Sequence, residues 1–99
     1  MSEERKREPK VDFIFSVIDV AGMKQVDFSY ITGISRETIH RWKKGHNVAD
    51  QLRLTRAYWY AQMIQKGCKA GRFPLPEKLK ATERQALLKK IVAEMSRPQ

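Results

Sequence analysis

Glycines at positions 22, 33 and 45 divide the first half of the chain into short segments whose apolar residues recur at helical spacing. In the first segment these residues occupy positions i, i+1, i+4, i+5 and i+8 of one broad helical face: Phe13, Ile14, Val17, Ile18 and Ala21. Glycine readily adopts the left-handed conformation that ends many helices, so each glycine predicts a helix boundary. The β-branched and aromatic content of the first segment would also suit a strand. The pattern as a whole favours short helices joined by tight turns.

Further helices are predicted along the rest of the chain, with a loop before the last one. The segment KQVDFSYIT predicts a second helix, and Ser35 and Asp50 are placed to cap a third and a fourth. A glycine and two prolines within CKAGRFPLPE predict a loop. Thr82 and Gln85 have the spacing of a capping box for a last helix that runs to about Met95. The predicted fold class is therefore all-α, with about five helices.

The charge balance of the chain restricts its partners. The chain has 99 residues, enough for one domain, with a formal net charge of +9 and a pI near 10.0. Such an excess favours a polyanionic partner, which can be DNA, RNA or an anionic membrane surface. A second basic concentration between Lys66 and Lys90 could lie along DNA phosphates or belong to an RNA-binding surface.

Cysteine content and hydropathy predict a soluble cytoplasmic protein. The one cysteine, Cys68, excludes an intramolecular disulfide and is typical of a reducing compartment. No run reaches the ~18 apolar residues of a membrane span, and the first ten residues, MSEERKREPK, lack the apolar centre of a signal peptide. We therefore expect no membrane association, and we expect no small-molecule effector.

Residues 25–44 have the outline of a helix-turn-helix unit, two short helices joined by a glycine. Such a unit needs a small residue where its helices touch, and Ser29 is small. Its turn needs a residue that tolerates positive φ, which Gly33 supplies. Apolar residues must hold the second helix against the core, and Ile34, Ile39 and Trp42 have the spacing to do so.

The sequence QVDFSYITGISRETIHRWKKG resembles the helix-turn-helix of the Cro and lambda-repressor family of DNA-binding proteins. The positions in register with the family pattern are Gln25, Phe28, Ser29, Gly33, Ile34, Ser35, Thr38, Ile39, Trp42 and Gly45. Phe28 and Ser29 replace the usual Leu and Ala, and Lys43 stands where many members have Glu. The resemblance covers about a fifth of the chain. It implies a lambda-repressor-like domain followed by a C-terminal helix, as in small phage or plasmid regulators.

This resemblance implies contacts to DNA from both helices. It implies that Gln25 binds a phosphate and that the polar side of the second helix enters the major groove. The predicted DNA-binding residues around that helix are Ser35, Arg36, Glu37, Thr38, His40, Arg41, Lys43 and Lys44. The chemistry agrees, because arginine binds guanine and glutamate accepts from cytosine. The alternative is a solvated surface helix stabilised by i,i+4 pairs such as Glu37 with Arg41.

The predicted domain organisation has three parts. Residues 1–10 form a mobile charged arm, residues 11–66 form the DNA-binding domain, and residues 67–99 form a loop and a C-terminal helix. This last helix carries an apolar stripe composed of Leu87, Leu88, Ile91, Val92 and Met95. Because the preceding helices already supply a core, the stripe predicts homodimerisation. The alternative is that the helix folds back over its own core, since periodicity does not identify a partner.

The predicted function is a sequence-specific transcriptional regulator, most often a repressor in this family, that binds double-stranded DNA. One short motif reads few base pairs, so a homodimer on a palindromic operator is expected. The alternatives are the antitoxin of a toxin–antitoxin pair that also represses its own operon, and a phage-type activator. No catalytic arrangement is visible, so no enzyme is predicted. No metal or other cofactor is expected, because His40, His46 and Cys68 lack the spacing of metal ligands.

The aromatic run AYWY, at residues 57–60, could be read as a platform for stacking single-stranded bases. Neighbouring residues of a helix point in different directions, so these rings cannot form one flat surface. We therefore predict that Tyr58 belongs to the core and that Trp59 or Tyr60 lies at a subunit or helix contact.

Overall fold

The computed structural model describes residues 8–96, and over that range it contains five helices and no strand. The helices are α1 (Pro9–Ala21), α2 (Gln25–Thr32), α3 (Arg36–Lys43), α4 (Gln51–Lys69) and α5 (Ala81–Met95). The predicted all-α class with about five helices is therefore confirmed. None of these helices is both long and apolar enough to cross a membrane.

Helix α1 begins at Pro9, where a proline costs little because its missing N–H would have no partner in the first turn. The predicted arm thus overlaps α1 at its last two residues, and residues 1–7 lie outside the described part of the chain. Gly22 ends α1 with a φ of 67°, and its amide donates to the carbonyl of Asp19. The first segment is a helix and not a strand, as the spacing of its apolar residues predicted.

Helix α4 is capped as predicted, and it extends two residues into the segment predicted to be a loop, CKAGRFPLPE. The Asp50 carboxylate accepts the amides of Leu52 and Arg53 at 3.0 and 3.1 Å. The helix then continues through Gly67 to Lys69. The bare backbone of Gly67 is covered by the Phe73 ring, so closely that a Cβ there would lie 2.9 Å from Cε2 of Phe73. The glycine therefore makes room for a ring, and does not end the helix.

Helix α5 begins one residue before the predicted capping box. The carboxylate of Glu83, and not the amide side chain of Gln85, accepts the backbone N–H of Lys80 at 2.9 Å. The prediction from Thr82 and Gln85 was wrong because it required a hydroxyl at the cap. Of the two hydrogen bonds of a capping box, the one formed here is from the backbone N–H of the N-cap residue to the carboxylate at the third helical position.

One core joins all five helices. Helix α1 packs along α4, α2 packs against α3, and α5 packs against both α2 and α4. The largest fully buried side chains are Phe28, Ile14, Ile39, Leu54, Ile64, Leu88, Ile91 and Val11. Phe73 and Leu75, from the loop before α5, belong to the same core. The core therefore continues past the predicted domain boundary at residue 66.

The apolar stripe of α5 completes this core, which corrects its assignment to a dimer contact. Leu88 and Ile91 are 0% and 2% exposed within the monomer, so neither is available to a second copy. Leu87 and Met95 are half-buried against the same core. Val92 is also half-buried, at a groove of about 360 Å³ between α2, α4 and α5. Helix α5 has folded back over its own domain because α2 and α4 offer it an apolar surface.

Candidate nucleic-acid interface

Helices α2 and α3 form the predicted helix-turn-helix unit. Gly33 ends α2 with a φ of 77°, and its amide donates to the Ser29 carbonyl at 2.9 Å. The side chains predicted to hold α3, those of Ile34, Ile39 and Trp42, are all buried in the shared core. After the turn, α3 packs against α2, and three apolar side chains anchor this second helix in the core.

Two hydroxyl groups of α2 fasten the residue that follows the turn. The Ser29 hydroxyl donates to the Ile34 carbonyl at 2.6 Å, and the Thr32 hydroxyl accepts the Ile34 amide at 3.1 Å. Thr32 in turn donates to the Phe28 carbonyl at 2.8 Å. Both backbone polar groups of buried Ile34 are thereby satisfied, as a buried backbone requires. The role of Thr32 was missed, although hydroxyl residues beside a turn glycine are a recognisable signal.

Ser35 and Thr38 build the start of α3. The Ser35 hydroxyl accepts the Thr38 amide at 3.2 Å and donates to the Thr38 hydroxyl at 2.9 Å. Ser35 is thus the N-cap that its residue type predicted. Both residues were also predicted to contact DNA, but in the free protein their hydroxyls are engaged with each other. The Thr38 side chain is moreover half-buried.

The remaining predicted contact residues of this region form one exposed face, here called the α3 face. Its members are Arg36, Glu37, His40, Arg41, Lys43 and Lys44. At the ~100° per residue of an α-helix, they cover an arc of about 160°. Ile39 and Trp42 lie on the opposite side and are buried. The α3 face carries four cations and one carboxylate, so it is strongly basic.

Most side chains of the α3 face have no partner within residues 8–96. Those of Arg36, Glu37, His40 and Arg41 form no hydrogen bond, ion pair or ring contact there. In particular, Glu37 and Arg41 do not form the i,i+4 pair that a merely solvated helix would use. The hydrogen-bonding capacity of these four side chains is therefore available to another molecule.

Gln25 is the first residue of α2 and is half-buried at the helix N-terminus. Two residues later, Asp27 closes this first turn by accepting the Lys24 amide at 3.0 Å. The same carboxylate binds Arg84 of α5, whose Nε and Nη2 approach Asp27 Oδ2 to 3.0 and 2.7 Å. The hydrogen bond to Asp27 raises the pKa of Arg84. Sequence reasoning missed this pair, because no local pattern joins residues 57 positions apart.

The second basic concentration is less basic than its sequence indicated. Of the eight Lys and Arg side chains from Lys66 to Lys90, Arg84 is paired with Asp27 and Arg72 is paired with Glu94. The six lysines of the segment are all exposed. They are distributed over the end of α4, the loop and α5. The structure does not gather them on one helix as it gathers the α3 face.

The residues considered for other chemistry are separated in the structure. Cys68 is on α4 and not in a loop, beside a cavity of about 170 Å³. Burial raises the pKa of its thiol, which opposes reactivity at neutral pH. Between residues 8 and 96, no three His, Cys, Asp or Glu side chains are grouped so that they could hold a metal ion.

The rings of the AYWY run do not form a flat surface. Tyr58 is half-buried and packs against Phe13, with 5.1 Å between ring centroids. Trp59 and Tyr60 meet edge-on, with 77° between their ring planes. Bases could not stack on both rings in parallel, which agrees with the prediction from helical geometry.

Comparison with known proteins adds no family assignment. The chain matches no family model, and neither the curated proteins nor the solved structures contain a significant match.

Proposed function

We propose that this protein is a sequence-specific DNA-binding transcriptional regulator that inserts α3 into the major groove. One observation carries the proposal. The α3 face is basic, and its side chains Arg36, Glu37, His40 and Arg41 lack partners within the described chain. The α3 face belongs to a helix that is fixed by the hydrogen bonds of the turn and by its buried side chains. A rigid helix with uncommitted donors and acceptors is suited to reading base edges.

The residues of the proposed interface divide by chemistry. Arg36, near the start of α3, is suited to bidentate binding of guanine O6 and N7, and Glu37 can accept from cytosine N4. Lysines at the end of α3 and Gln25 at the start of α2 are suited to phosphate oxygens. The net charge of +9 favours association with any DNA, and the base contacts add selectivity.

A regulator of this kind would act as a homodimer on a palindromic operator. Helix α3 has eight residues and reaches too few base pairs for specificity by itself. Two copies would place their α3 helices about 34 Å apart, one turn of B-DNA. We propose that this binding represses transcription, which is the commoner activity in the family that the motif resembles. The protein would act in the cytoplasm. The dimer contact would lie outside the buried part of the α5 stripe.

Selection of binding sites from random duplex DNA tests this proposal directly. We expect enrichment of one site with two-fold symmetry. Arg36→Ala should then weaken binding to that site by ~1–3 kcal/mol and relax the preference at one base pair. Lys66→Ala is a suitable control, since it also removes one exposed cation. Lys66 lies about 22 Å from the first residue of α4, measured along that helix. A selection without enrichment, or equal losses in both variants, would contradict the proposal.

A further inference from the structure

We infer that Arg84, on α5, is a positioning residue for the DNA-facing end of α2, so that the C-terminal helix is a working part of the DNA-binding unit. This inference rests on the proposed function, because it concerns how Gln25 is presented to a phosphate. Arg84 itself is not a DNA contact in this inference. It acts through Asp27, which it holds from the side of α5.

The Asp27 carboxylate serves two structural tasks at once. It accepts the Lys24 amide at 3.0 Å, which fixes the first turn of α2. It also receives Nε of Arg84 at 2.9 and 3.0 Å and Nη2 at 2.7 Å. The start of α2 is thereby joined to α5 through one side chain. Any movement of α5 along α2 would be transmitted to the turn in which Gln25 stands.

The burial and the geometry of the Asp27–Arg84 ion pair fix the position of α2 relative to α5. The side chains of Asp27 and Arg84 are only 5% and 18% exposed, so water cannot easily replace either partner. A guanidinium that binds a carboxylate through two nitrogens fixes both distance and orientation, which a lysine ammonium does not. Gln25 is two residues before Asp27 in the same helical turn. The ion pair therefore sets where the Gln25 side chain stands relative to the α3 face.

Helix α5 carries a second ion pair that offers a matched comparison. Arg72, in the loop after α4, binds Glu94 near the end of α5. This pair also fastens α5 to the rest of the domain, but neither of its partners belongs to α2. Breaking it should loosen α5 without releasing Asp27. Comparing variants of the two ion pairs therefore distinguishes general stabilisation of the domain by α5 from the positioning of α2.

A double-mutant cycle on DNA binding tests the inference in the full chain. Gln25→Ala is measured in the unchanged protein, in an Asp27→Asn, Arg84→Gln background and in an Arg72→Gln, Glu94→Gln background. The first background replaces the ion pair by two neutral amides and keeps an acceptor for the Lys24 amide. Each protein is first checked for folding by circular dichroism, and binding is then measured on the selected site.

In the unchanged protein we expect Gln25→Ala to weaken binding about tenfold, the size of one hydrogen bond to a charged group. In the Asp27→Asn, Arg84→Gln background the same change should cost less than about twofold, because Gln25 is already misplaced. In the Arg72→Gln, Glu94→Gln background it should again cost about tenfold. If the first background does not fold, Arg84→Lys replaces it, because this change keeps a cation beside Asp27. In the Arg84→Lys background the effect of Gln25→Ala should also be reduced.

An equal effect of Gln25→Ala in all backgrounds would overturn the inference and leave Arg84 as a purely structural residue. No effect of Gln25→Ala in the unchanged protein would overturn it as well, while loss of binding on Arg36→Ala would keep the proposed function intact. Failure of the unchanged protein to bind any DNA would instead reject the proposed function itself.

Discussion

Replacement of Leu88 by alanine distinguishes a core role of α5 from a role at a dimer contact. Leu88 is 0% exposed, so the change removes three buried carbon atoms, worth about 2.4 kcal/mol of transfer free energy. The cavity left behind adds to this loss, because close-packed neighbours relax only partly. We therefore expect the free energy of unfolding to fall by about 3–4 kcal/mol. For a domain of this size, that is a large share of the total stability.

Urea denaturation followed by circular dichroism measures this loss, and the assay has an internal control. Leu52 is on α4 but 83% exposed, so Leu52→Ala should change the free energy of unfolding by less than about 0.5 kcal/mol. The loss caused by Leu88→Ala should also be the same at low and high protein concentration, since the lost contacts lie within one chain. The reasoning fails if Leu88→Ala costs under about 1 kcal/mol, or if it dissociates a dimer without destabilising the monomer.

Three further predictions concern the turn, the electrostatics and the thiol. Thr32→Val should cost about 1–3 kcal/mol in the same assay, because it leaves the buried Ile34 amide without an acceptor, whereas Thr55→Val on the exposed side of α4 should cost far less. The logarithm of DNA affinity should fall with the logarithm of salt concentration with a slope of about −5 or steeper for a dimer, and a flat dependence in filter binding would argue against DNA as partner. The raised pKa of Cys68 means that the folded thiol holds its proton more tightly than the unfolded one. Its contribution to stability is therefore complete below the pKa of the unfolded thiol and is lost as pH rises through the higher pKa of the folded thiol. Cys68→Ala should accordingly make the alkaline decline in stability shallower.

The features that could be predicted from the sequence are local ones. Ser35 and Asp50 were recognised as caps because capping involves the next two or three residues only. The inward direction of Ile39 and Trp42 follows from helical spacing together with the glycine before them. The exposed α3 face follows from the same spacing, so the sequence alone largely predicts which residues of the candidate site lie together on one side of the helix.

The features that could not be predicted depend on partners distant in the chain. Periodicity showed that one side of α5 is apolar, but it could not show that α2 and α4 cover that side. The pairing of Asp27 with Arg84 depends on this same docking. The role of Gly67, making space for Phe73, could not be predicted either, because it depends on a loop that returns over α4.

The two hydroxyl groups that fasten Ile34 have a consequence for how such a protein can change its target. Ser29 and Thr32 set the orientation of α3 through backbone atoms of Ile34, and no residue of the α3 face takes part in these bonds. Substitutions at Arg36, Glu37, His40 or Arg41 should therefore leave the fold and its stability almost unchanged. Under the proposed function, a new operator could then be acquired by a few surface substitutions, one at a time, with every intermediate remaining folded. The same separation would make α3 a practical place to design a chosen DNA specificity.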